Sequence, residues 1–72
     1  MREQSAVYRI RLQGHLDRRW SEWFHKMRIR YAGNYTILEG RLPDQSALHG
    51  LFQIIRDLNL TIEEVKRIFK RR

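Results

Sequence analysis

Apolar and polar residues alternate soon after the chain begins. Tyr8, Ile10 and Leu12 are interleaved with Arg9, Arg11 and Gln13, the period-two pattern of a strand with one wet face. Gly14 and His15 end it, so residues 6–14 are expected to form a strand. The period then changes. Trp20, Trp23, Phe24 and Met27 fall at i, i+3, i+4 and i+7 behind Asp17, which stands at an N-cap position; this predicts a short helix over about 17–26. Alternation returns with Met27, Ile29 and Tyr31 against Arg28 and Arg30. Gly33-Asn34 supplies a tight turn, and a return strand runs from Tyr35 to about Leu42.

Pro43 closes that strand, because it has no N–H to give a ladder. Asp44 is placed to cap a second helix, about 44–58, with Leu48, Leu51, Phe52, Ile55 and Leu58 as its buried stripe. Gly50 is a poor helix former, and close packing of this helix on the sheet would account for it. Asn59 suits a C-cap, with Leu60 folding back on the last turn. Residues 61–69 carry two signals. Thr61-Ile62-Glu63-Glu64 resembles a helix start, and Ile62, Val65 and Phe69 have helical spacing. Their β-branched and aromatic character, and the need for a fourth strand to complete a small sheet, favour a strand.

The expected order is therefore β-α-β-β-α-β, with the last strand uncertain. It predicts an α+β fold with two helices on one face of an antiparallel sheet, the ferredoxin-like arrangement. Seventy-two residues allow one domain with a thin core. The expected division is a single domain over 1–72, with its core at about 6–69 and a basic tail, Lys70-Arg71-Arg72. A core so small predicts either tight aromatic packing or a second copy, and a homodimer is expected.

Two segments together resemble a known group. Arg11-Leu12-Gln13-Gly14-His15-Leu16-Asp17-Arg18-Arg19-Trp20-Ser21-Glu22-Trp23-Phe24 reads R-x-x-G-x-L-x-x-R-W-x-x-W-F. Asp44-Gln45-Ser46-Ala47-Leu48-His49-Gly50-Leu51 reads D-Q-x-x-L-H-G-L, followed by Ile55-Arg56-Asp57-Leu58. The chain resembles, over about residues 6–68, a family of short bacterial proteins of unknown function. The resemblance implies a small intracellular bacterial protein and brings no activity and no site residues with it.

Charge adds a function class. Fifteen Lys and Arg stand against eight Asp and Glu, a net +7, with a pI near 10.8. Residues 1–36 hold eight basic and three acidic side chains (+5), and residues 37–72 hold seven and five (+2), so the basic character is not only the tail. An anionic partner is favoured. The chain has no cysteine, and no window approaches the length of a membrane span, which points to a cytoplasmic location without membrane contact.

The candidate chemistry is thin. Ser46, His49 and Asp44 could be a nucleophile, base and acid, yet a helix N-terminus explains Asp44 and Ser46 as capping groups. Glu22 and His25 have a metal-bridging spacing but lack matching ligands elsewhere, and His15 has no partner spacing. No phosphate-binding glycine loop occurs. No enzyme, metal, cofactor or small-molecule substrate is expected. Trp20 and Trp23 read better as core than as a binding platform.

The most informative candidate is the sheet face turned away from the helices. Alternation puts Arg9, Arg11, Arg28, Arg30 and Arg41 there with Tyr35, Ile37 and Glu39. Three readings fit: a protein interface, including self-association; single-stranded nucleic acid held by arginines and a ring, with the tail Lys70, Arg71 and Arg72; or a solvated face. The expectation is a small non-enzymatic binding or assembly module acting through protein association, probed against nucleic-acid binding as the alternative.

Overall fold

The structure is a computed structural model and describes residues 6–24 and 27–68, with the side chains of Ser21 and Trp23 outside that description. Strands β1 (Ala6–Gln13), β2 (Arg28–Ala32), β3 (Tyr35–Leu42) and β4 (Thr61–Ile68) form one antiparallel sheet in the order β2-β3-β1-β4. One α-helix, α1 (Gln45–Asp57), packs on it. The two-helix, ferredoxin-like expectation is thereby corrected. Where the first helix is expected, Arg18–Phe24 is a 3-10 helix, so the described residues form four strands and a single α-helix.

The aromatic spacing of this segment suits an α-helix, but its backbone bonding is that of a 3-10 helix. β1 and β2 run parallel with β3 between them, so the chain from Gln13 to Arg28 must return the length of β2 and step over one strand. The Trp20 N–H donates to the Asp17 carbonyl at 3.1 Å, an i to i+3 bond, and the Asp17 carboxylate accepts the Arg19 N–H at 3.0 Å. Leu16, Phe24 and Met27 are still buried, and Trp20 packs partly against them.

Buried polar bonds fix the entry to this segment. Gly14 has φ +95°, a conformation that favours glycine, and its N–H donates to the Asn34 carbonyl at 2.7 Å. Thr36 is fully buried; its hydroxyl accepts the Leu16 N–H at 2.9 Å and donates to the Gly14 carbonyl. Arg18 donates to the Ile29 carbonyl at 2.9 Å and lies over the Tyr31 ring, whose hydroxyl donates to the Leu16 carbonyl. The β2-β3 hairpin turns on two residues, with positive φ at Gly33 alone of the pair, as a type II′ turn has it.

The core lies between the sheet and the two helical segments. Ile10, Leu12, Leu38, Leu42, Phe24, Leu51 and Ile55 are almost wholly buried, each contributing about 1.5–3 kcal/mol of apolar transfer. Asp44 caps α1 by accepting the Ala47 N–H at 2.9 Å, and Asn59 takes positive φ after it. The close-packed glycine is Gly40, not Gly50. A Cβ on Gly40 would lie 3.0–3.3 Å from Met27, whereas one on Gly50 would meet nothing within 4 Å. The expected tight packing at Gly50 is corrected.

Residues 61–68 are a strand, and a β-bulge explains their helical spacing. Arg11 pairs with Glu64 but Leu12 pairs with Ile62, so Glu63 is an extra residue in β4. The extra residue returns Ile62 to the helix side of the sheet, where Val65 already lies opposite Ile10. Three residues apart, both apolar side chains share one face of a strand.

Candidate basic sheet face

With Tyr8, Ile10 and Leu12 in the core, the pleat turns Arg9, Arg11 and Gln13 outward. Buried Ile29, Thr36, Leu38 and Leu42 do the same for Arg28 and Arg30 and for Tyr35, Ile37, Glu39 and Arg41. The structure thus places all eight of the expected sheet residues on one face. The tail Lys70, Arg71 and Arg72 lies outside the described residues, as does His25.

Register orders this face into rows across the strands. One row reads Arg28, Glu39, Arg9, Lys66; the next reads Arg30, Ile37, Arg11, Glu64; a third reads Ala32, Tyr35, Gln13, Thr61. Arg41, Val7 and Ile68 form the row at the far end. Glu64 and Lys66 were not among the expected residues. The signal was the alternation of Glu64, Lys66 and Ile68, which the competing helical spacing of residues 61–69 concealed.

The two carboxylates partly hold the cations. Glu39 stands between Arg9 at 3.7 Å and Arg30 at 3.6 Å, and Glu64 is 3.7 Å from Arg11. These pairs are loose and half-exposed, so they orient side chains more than they stabilise the fold. Arg11 also lies over the Tyr35 ring, 5.2 Å from its centroid. Among the described residues, Arg28 and Lys66 make no ion pair.

Charge is segregated between the two sides. The outer face carries Arg9, Arg11, Arg28, Arg30, Arg41 and Lys66 against Glu39 and Glu64, a balance of +4. The other described charges are Arg18, Arg19, Arg56 and Arg67 against Asp17, Glu22, Asp44, Asp57 and Glu63, a balance of −1. Net positive charge in the described domain therefore resides on one face.

The remaining candidates do not converge. Asp44 is engaged in the cap of α1, and His49 is exposed with its ring edge-on to Phe52 at 6.3 Å. His15 bonds through Nε2 to the Gly33 carbonyl at 2.7 Å. No group of three metal-type side chains occurs among the described residues, and no described helix is long and apolar enough to cross a membrane.

No curated protein and no solved structure is detectably similar to the chain. One family model matches residues 7–66, from β1 into β4 and including the full hairpin and helix. The chain belongs to the domain-of-unknown-function family DUF8691.

Proposed function

We propose that this domain is a non-enzymatic binding module whose outer sheet face takes a single-stranded nucleic acid. The observation that carries the reading is the segregation of charge, +4 on the outer face and −1 on the remaining described surface. A sheet face presenting arginine forks around a half-buried Tyr35 and Ile37 offers phosphates a set of cations and a base a ring to stack on. Self-association through this same face, the first expectation from the sequence, would set +4 against +4, and like charge disfavours it. The resemblance to short bacterial proteins and the lack of cysteine support a bacterial cytoplasmic setting.

The test is fluorescence anisotropy of a labelled single-stranded oligonucleotide at two salt concentrations. With about four net phosphate contacts, raising salt from about 50 to about 200 mM should weaken binding by about fifty-fold. Binding that is absent at low salt, or unchanged by salt, overturns the reading.

A further inference from the structure

We propose that two copies of this chain join edge to edge through β4, in an antiparallel pairing with its two-fold axis at Val65. The two edges of the sheet differ. In a two-residue hairpin Ala32 and Tyr35 form a hydrogen-bonded pair, so Ile29 falls at a non-bonded one and its carbonyl points away from β3. Arg18 donates to that carbonyl and covers the β2 edge. No described strand pairs with the outer edge of β4, and an open strand edge is a template for another strand.

Charge selects both the occupant and the register. From Glu64 to Ile68 the strand reads Glu, Val, Lys, Arg, Ile, with Glu64 and Lys66 on the outer face and Val65 on the helix side. Antiparallel self-pairing about Val65 sets Glu64 of each copy opposite Lys66 of the other. Moving the axis to Glu64 puts Glu64 on Glu64, and moving it to Lys66 puts Lys66 on Lys66, both of which like charge penalises. The strand is thus complementary to itself in one register.

Apolar exposure lies at the same place. Ile62 is 37% and Val65 41% exposed, two of the large hydrophobic side chains left open. They face the side where α1 and β4 leave an open groove of about 700 Å³, lined in part by Phe52, Ile55, Leu60 and Ile62. Pairing about Val65 brings the two valines together on that side and shields them from water. A two-fold axis perpendicular to the sheet keeps both helices on one side and both arginine faces on the other. The dimer then presents one eight-stranded sheet with a continuous basic surface. The pairing does not depend on what that surface binds.

Sedimentation equilibrium of the full chain at about 150 mM salt, where long-range repulsion between the +7 copies is screened, should give a dimer mass. Glu64→Lys alone and Lys66→Glu alone should each lower the mass to that of a monomer, because each sets like charges across the axis. Mixed in equal amounts, the two variants should return to a dimer, now of one chain of each kind. Both positions are exposed, and circular dichroism matching the parent shows that each variant is folded. A monomeric parent overturns the proposal, as do single variants that remain dimeric or a mixture that does not pair.

Discussion

The guanidinium of Arg11 lies over the ring of Tyr35, 5.2 Å from its centroid, as a diagonal pair on adjacent strands of the outer face. The ring is half-exposed, beside a half-exposed Ile37. Such a ring can receive a base on its open side. Tyr35→Ala should weaken single-strand binding by about five-fold to a hundred-fold, the equivalent of about 1–3 kcal/mol of base stacking, with little change in salt dependence. Anisotropy titrations of parent and variant over a salt series separate the two effects.

Arg28 should behave in the opposite way. It has no ion pair among the described residues, so its charge is available to a phosphate. Arg28→Ala should reduce the slope of log affinity against log salt by about 0.7, with a similar loss for every oligonucleotide sequence. The same salt series measures it.

Glu39 is the restraint on this face, between Arg9 and Arg30. Glu39→Gln removes a negative charge from the centre of the cations and should tighten oligonucleotide binding several-fold at low salt. Stability should change by less than about 1 kcal/mol, as half-exposed ion pairs contribute little. Weaker binding in Glu39→Gln would show that the carboxylate itself contacts the partner.

Gly40 and Gly50 give opposite predictions. Gly40→Ala forces a Cβ to about 3.0–3.3 Å from Met27, including 3.1 Å from its Cα, and should destabilise the fold by about 1–3 kcal/mol in urea. Gly50→Ala adds a methyl group to open space on α1 and should stabilise by up to about 1 kcal/mol.

What could be read from the sequence follows from which forces act locally. Alternation along β1, β2 and β3 is set by the pleat, and it alone assigns the five arginines, Tyr35, Ile37 and Glu39 to one face. The cap at Asp44 and the stripe of α1 are likewise local. The first crossover is not legible in this way, because Trp20, Phe24 and Met27 suit an α-helix by spacing, whereas the segment folds as a 3-10 helix packed against the sheet and the hairpin. Glu64 and Lys66 escaped notice for a related reason. The bulge at Glu63 imitates helical spacing in a strand, and bulges are set by the partner β1 and not by β4 itself. Arg18 reached Ile29 and Tyr31 only because the fold brought the 3-10 segment against the hairpin.

The most direct test of the basic face is a chemical-shift map of the labelled protein titrated with a single-stranded oligonucleotide. Shifts should concentrate at Arg9, Arg11, Arg28, Tyr35, Ile37 and Lys66, with α1 residues such as Leu51 and Ile55 unmoved. Shifts confined to α1 and its groove, or none at low salt, would contradict nucleic-acid binding by the outer sheet face.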